Sequence, residues 1–328
     1  MIAFDGFIDA YYAWDSNRPA GRERGFTTQA VRHDEPNINL LSGGATIEAG
    51  AWRVRLALQG GNSVSANTRL EPNPVLGHIQ EAYVGRRIGE RTWLDGGVYL
   101  AHIGAESWIS KNNLTYTRAL NLDYVPYYAA GLRLAHDTAG GGHVELHVMN
   151  GWQNISETNA AKALGLQLRR RAGGETYTYN SFYGDENVFP DSRPRFRTYH
   201  NFILETRPRD GLTVQASLDV GTEAGRVDGV FAWGATALTL GQRFDEKNAA
   251  ALRFERYVDP HQANVRTGTR NGFRVSSASV NYDRTLGAGV LWRMEFRGYR
   301  SEDAIFPGAR ETRARTDALL VTALTVSF

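Results

Sequence analysis

Leu212-Thr213-Val214-Gln215-Ala216-Ser217-Leu218-Asp219-Val220 places an apolar side chain at every even position and a polar one at every odd position. A period of two is the mark of a strand with one apolar and one wet face, and nine residues nearly suffice to cross a bilayer at a tilt. The pattern recurs along the chain. Trp52, Val54, Leu56 and Leu58 alternate with Arg53, Arg55, Ala57 and Gln59. Val144, Leu146 and Val148 alternate with His143, Glu145 and His147, and Trp292, Met294 and Phe296 with Arg293, Glu295 and Arg297.

Extended to the whole chain, this reading predicts strands near residues 3–14, 38–48, 51–60, 77–88, 91–103, 127–136, 142–152, 161–170, 175–184, 195–206, 211–220, 230–241, 248–258, 272–283, 288–300 and 316–328. The connections alternate in length. Short ones fall at Gly50, Gly89–Glu90, Asp137–Gly141, Ala172–Gly174, Pro208–Gly211, Asp245–Lys247 and Leu286–Gly287, where the residue types suit tight hairpins. Longer polar segments occupy 15–37, 61–76, 104–126, 153–160, 185–194, 221–229, 259–271 and 301–315. Seven tight turns and eight long loops imply about sixteen strands, with short turns on the periplasmic side and long loops outside. No linker or shift in composition divides residues 1–328, so one domain is expected.

A soluble sheet also alternates, but its apolar face needs a covering layer. Here the sequence offers no amphipathic helix to supply one, although a propeller or a sandwich is an alternative. Closing the sheet with its apolar face toward lipid removes both the uncovered face and the edges. The expected fold is therefore all-β: a transmembrane antiparallel β-barrel. Aromatic residues near strand ends read as two membrane-interface girdles: Trp14, Trp152, Tyr183, Trp233, Tyr257 and Tyr299 at the loop ends, and Trp52, Trp93, Tyr282 and Phe328 at the turn ends. The alternation Leu320, Thr322, Leu324, Val326, Phe328 looks like the C-terminal insertion signal of such barrels.

Composition agrees. No apolar stretch reaches the eighteen residues that a transmembrane helix needs, whereas a barrel needs none. The formal net charge of +2 excludes a chain-wide basic surface for nucleic acid. The absence of cysteine excludes disulfides and thiolate metal sites and suits an exported chain. Residue 1 opens directly on a strand pattern, so an export signal is expected to have been removed before it.

Several segments, in order, resemble the outer-membrane β-barrel porin-2 (OmpL-like) family. They are Gly6-Phe7-Ile8-Asp9-Ala10-Tyr11-Tyr12 with Asn17-Arg18-Pro19, Ile103-Gly104-Ala105-Glu106-Ser107-Trp108, Leu114-Thr115-Tyr116-Thr117-Arg118 and Pro126-Tyr127-Tyr128. Asn150-Gly151-Trp152-Gln153, Lys162-Ala163-Leu164-Gly165, and Tyr179-Asn180 through Tyr183-Gly184 follow. The resemblance covers mainly residues 6–20 and 103–190 and implies an outer-membrane barrel of the porin kind, without naming a solute. Sixteen-stranded porins are often trimers, so it also implies a homotrimer.

Charged side chains facing lipid would each cost roughly 2–4 kcal/mol near the midplane, so the polar faces must point into a lumen. The pore-lining candidates are Arg53, Arg55, Gln59, His143, Glu145, His147, Gln167, Arg169, Gln215, Asp219, Arg253, Glu255, Arg293, Glu295 and Arg297. Facing arginines and carboxylates would set a transverse field that filters solutes, unless they merely satisfy one another across strands. The third long loop, 104–126, is the expected constriction loop folded into the lumen, with Glu106, Trp108, Lys111, Tyr116, Arg118 and Asp123 as its candidate residues. Its alternative is an ordinary surface loop. His143, Glu145 and His147 lie too far apart along one strand to converge easily on a metal. Asp259 and His261 lack a partner serine, and no phosphate loop or nucleophile elbow is present. No catalysis, cofactor or metal is expected. Outer-membrane lipid and lipopolysaccharide, with small polar solutes or ions, are the expected partners. The reading is passive diffusion of small hydrophilic solutes with a mild preference for anions. Its rival is a plugged barrel acting as an adhesin or surface structural protein.

Overall fold

A computed structural model describes residues 1–188, 193–225 and 229–328. Sixteen strands form one closed antiparallel sheet: β1 (Ile2–Asp15), β2 (Pro36–Ala49), β3 (Trp52–Gly60), β4 (Ile79–Gly89), β5 (Thr92–Leu100), β6 (Tyr128–Asp137), β7 (Gly142–Met149), β8 (Ala163–Ala172), β9 (Glu175–Val188), β10 (Arg193–Arg209), β11 (Leu212–Gly225), β12 (Gly229–Arg243), β13 (Asn248–Asp259), β14 (Phe273–Gly287), β15 (Val290–Ser301) and β16 (Thr316–Ser327). Every strand pairs with its sequence neighbours, and β1 closes the ring on β16 from Phe7 opposite Ser327 to Asp15 opposite Leu319.

The alternation sets which face is which. Leu218, Leu252, Phe254, Val280, Phe296 and Leu320 are exposed on the outer wall, while their polar sequence neighbours Asp219, Arg253, Ser279 and Arg297 are buried inside. Such exposure continues around the ring, through Leu56, Val84, Leu132, Leu146 and Leu168. A continuous apolar belt of this kind is stable against lipid and a liability in water.

Five of the seven short turns contain a left-handed glycine, at Gly50, Gly141, Gly173, Gly211 and Gly289. At the seam, the Gly6 and Phe328 backbones exchange two hydrogen bonds of 3.1 and 3.2 Å, and the Phe328 ring occupies the space a Gly6 side chain would need. A second pair of glycines shapes the strands that carry the third loop. Gly97 and Gly131 oppose each other across β5 and β6, both at positive φ. A Cβ would lie 2.1 Å from the Ala82 carbonyl oxygen at Gly97 and 2.0 Å from that of Val148 at Gly131. Gly131→Val should therefore cost at least about 1–3 kcal/mol in strain and lower the denaturant midpoint of the refolded barrel; an unchanged midpoint would refute this account of the bend.

Some elements differ from the sequence reading. Strands β9 to β12 run longer at their outer ends, where Glu223, past the expected end of β11, pairs with Arg197. That pair is buried inside against Trp152 and Trp233, and Thr198 and Thr222 stand on the outer face, so apolar alternation does not mark the strand ends there. Parts of the expected loops 185–194 and 221–229 are thus strand, and the rest, 189–192 and 226–228, lies outside the described residues. The second loop contains one helical turn, Asn62–Asn67. The girdle expectation needs correction as well. Trp14, Tyr183, Trp52, Tyr282 and Phe328 lie on the outer wall, but Trp93, Trp152, Trp233, Tyr257 and Tyr299 lie inside. There Trp152 packs edge-on against Phe182 and Tyr199, and Tyr257 against Tyr124 and Phe273. Trp152, Trp233, Tyr257 and Tyr299 fill the outer half of the barrel beneath the loops, whereas Trp93 lies at the turn end.

Candidate functional site: the third loop and the inner wall

Between β5 and β6 the chain turns inward and crosses the barrel. Trp108 donates its indole hydrogen to Ser63 Oγ at 2.9 Å, and Ser110 donates to Asp9 on β1 at 2.8 Å. Tyr116 reaches the same carboxylate at 3.1 Å. Arg293 holds the Ser110 and Asn113 carbonyls at 2.5 and 2.9 Å, and neighbouring Lys111 is exposed. Asn121 then donates to Ser217 and Asp219 on β11 at 3.0 and 3.1 Å.

The tightest fastening is at Thr115–Leu120. Arg253 donates to Thr115 Oγ1 at 2.5 Å, to the Thr117 carbonyl at 2.6 Å and to Glu295 at 3.0 Å. Glu295 accepts the Thr117 amide at 2.6 Å, and Glu255 accepts that of Leu120 at 2.6 Å. Arg297 pairs with Glu255 at 2.7 Å and donates to the Arg118 carbonyl at 2.8 Å. Inner-wall charges thus take the place of water for a loop backbone that has no strand partner. Arg253, Arg293, Arg297 and Glu295 are 0% exposed. These expected lumen residues, with Asp219 and Glu255, sit behind the loop, whereas Gln215, which donates to the Ala105 carbonyl at 3.3 Å, is half-buried.

The wall from β3 to β8 is different. Arg53 and Arg133 both grip the fully buried Asp95, at 2.6 and 2.8 Å, yet their side chains keep 21% and 16% exposure. Their guanidinium groups lie over Trp93 at 4.3 Å and Tyr99 at 4.8 Å. Arg55 bridges Glu81, at 2.9 Å, and Asp5. Arg169 is half-buried with no ion pair among the described residues. Gln59 donates to the Gly77 carbonyl at 3.0 Å, and Gln167 to that of His102 at 2.7 Å. His143 and His147 both engage Glu145, at 3.0 and 3.1 Å, and His143 also reaches Asp137 at 2.7 Å. The three side chains, expected from their spacing to stay apart, thus meet at the Glu145 carboxylate. At the other rejected pair, Asp259 caps its loop by accepting three backbone amides, from Ala263, Asn264 and Val265.

Sequence reading missed Asp95, Arg133, Tyr83, Tyr99 and Asp9. Arg133 could have been found, since Leu132 and Leu134 bracket it in an alternating run; Gly96–Gly97 blurs the pattern around Asp95.

Within the loop, Arg118 lies 3.8 Å over the Tyr127 ring, beside a cavity of about 120 Å³ that Glu106 and Trp108 also border. Burial pushes the Glu106 carboxyl above its ordinary 4.5 despite Arg253 at 3.5 Å, and burial likewise raises Asp123 despite the Thr28 hydroxyl bonded to it. An acid whose pKa is raised on docking binds its proton more tightly in the docked loop, so docking strengthens as pH falls through that raised value. Channel conductance is therefore predicted to drop as pH is lowered from 7 toward the ordinary carboxylate range, and Glu106→Gln should shrink the step. A pH-independent conductance would contradict this.

The family model described as "Putative beta-barrel porin-2, OmpL-like" matches residues 1–328. No curated protein sequence matches the chain. Among solved structures, it is similar to an anion-selective porin from Comamonas acidovorans, with TM-score 0.66 at 10% identity, covering 100% of this chain and 99% of that one. The outer membrane channel DcaP of Acinetobacter baumannii gives TM-score 0.66 at 10% identity, covering 100% and 97%. The trimer form of OmpT from Vibrio cholerae gives 0.65 at 8% identity, covering 100% and 99%. At these identities the likeness establishes the shared barrel fold.

Proposed function

The chain belongs to the β-barrel porin-2, OmpL-like family, and we propose that small hydrophilic solutes diffuse along its β3–β8 wall, with anions preferred. The observation that carries this reading is the asymmetry of the inner face: the third loop seals the charges of β11, β13 and β15, while Arg53, Arg55 and Arg133 keep water contact. Two arginines share the carboxylate Asp95, which concentrates positive charge at that point of the wall, while Glu145 stands near Arg133 and Arg55 is matched by Glu81 and Asp5. The flanking Tyr83 and Tyr99 rings hold the guanidinium groups in place. Liposomes carrying the protein should swell in isotonic small neutral solutes and faster in salts of small anions; no swelling would refute the reading.

Assembly as a homotrimer fits the trimeric relative of the same fold, and cross-linking in native membranes tests it. A second reading has support of its own. The loop spans the barrel and aromatic rings pack its outer half, as in a plugged barrel that serves as an adhesin or surface structural protein. An inserted, folded and electrically silent protein would favour it.

A further inference from the structure

On the outer wall, β13, β14, β15 and β16 set four residues in one cross-strand row at their extracellular ends: Arg256 opposite Ser276, Ser276 opposite Arg300, and Arg300 opposite Thr316. Arg256 donates to the Ser276 hydroxyl at 2.9 Å. Arg274 lies one outward position above, and it shares Glu302 with Arg256 at 3.4 and 3.5 Å. Arg300 is exposed and has no ion pair among the described residues. Three guanidinium groups and one carboxylate leave a cationic ledge on a surface that faces lipid just below. At the same end of β10 to β12, the outward positions carry Thr198, His200, Thr222 and Val230 instead.

The next row down is unusually bare. Ala278, Gly298 and Ala318 follow one another across β14, β15 and β16. A Cβ at Gly298 would meet nothing within 4 Å, and with only methyl groups at Ala278 and Ala318 beside it the wall is low there, a shallow recess. Exposed Phe254 borders it on β13, and Val280, Phe296 and Leu320 form the row beneath. A cationic ledge above an apolar recess matches a molecule with an anionic head and a hydrocarbon tail, oriented as the outer leaflet orients it. Guanidinium forks bind phosphate oxygens in a paired geometry, and the neighbouring hydroxyls supply further donors.

We propose that this face is a binding site for a phosphorylated glycolipid of the outer leaflet, of the lipid A class: its phosphate held by Arg256, Arg300 and Arg274, and an acyl chain lying in the Ala278–Gly298–Ala318 recess. The site rests on the barrel's orientation in the membrane and not on the selectivity of its lumen.

The test uses the full-length barrel refolded in detergent, with diphosphoryl lipid A as the probe and native mass spectrometry as the readout. The wild type should retain lipid A in preference to phosphatidylglycerol. Arg256→Gln with Arg300→Gln should weaken retention roughly tenfold or more, the loss expected when hydrogen bonds to a charged group are removed. Gly298→Leu keeps every charge and fills open space, so it should fold normally and still lose lipid A. Arg86→Gln, on the outer wall at the turn end, should change nothing. Unaltered retention by the double arginine variant, or equal retention of phosphatidylglycerol by the wild type, would overturn the assignment. A folded Gly298→Leu barrel that retains lipid A as the wild type does would overturn the recess.

Discussion

Arg253→Ala is expected to free the third loop and raise single-channel conductance severalfold, with a marked loss of stability. Arg253 is wholly buried and donates to Thr115, to Thr117 and to Glu295, and its nearest other carboxylates are Glu255 at 3.3 Å and Glu106 at 3.5 Å. Removing one member of a buried charge network leaves the rest uncompensated, at about 3–5 kcal/mol. The barrel ladder itself is untouched, since Arg253 keeps its backbone pairing with Thr239 and Ser279. The cost should therefore fall on the loop's docking more than on the sheet. Larger, noisier conductance steps from a protein with normal barrel circular dichroism would show this. Wild-type steps from a folded variant would mean that the loop is held elsewhere.

Arg53→Gln with Arg133→Gln is expected to reverse the ion preference. The two arginines and Asp95 together carry one net positive charge. The double variant leaves Asp95, and Glu145 beside it, without these arginines, so the same stretch of wall turns negative. A charge reversal at a partly desolvated narrowing acts more strongly than one in bulk water, where charges farther apart than about 8–10 Å are largely screened. The zero-current potential in a salt gradient should change sign. The glutamines keep most of the side-chain volume, so conductance in symmetric salt should change much less. An unchanged potential would move the solute path away from this wall.

Much of the fold was legible because its signal is local. The parity of Leu212–Val220 places its residues on their faces without reference to any other strand, and the same alternation runs round the ring except where bulges at Asn39 in β2 and Gln80 in β4 shift it. That rule also held information that went unused. Trp233 shares parity with Ala235 and Ala237, Tyr257 with Arg253 and Glu255, and Tyr299 with Arg297, so each had to point inward. Position near a strand end suggested a girdle instead. What the loop touches was not legible. Tyr116 meets Asp9, and Thr117 meets both Arg253 and Glu295. Each contact joins residues more than a hundred positions apart, and it depends on where the closed ring puts β1, β13 and β15. Alternation sends Arg293 and Arg53 inward alike; only the path of the loop decides which is sealed and which stays wet.

The most direct test is single-channel recording from the refolded protein in a planar bilayer, first in symmetric salt and then in a salt gradient. Stepwise, sustained conductance with a zero-current potential favouring the anion is the predicted result. Absence of conductance from protein shown to be folded and inserted would contradict the channel and leave a plugged barrel as the better account.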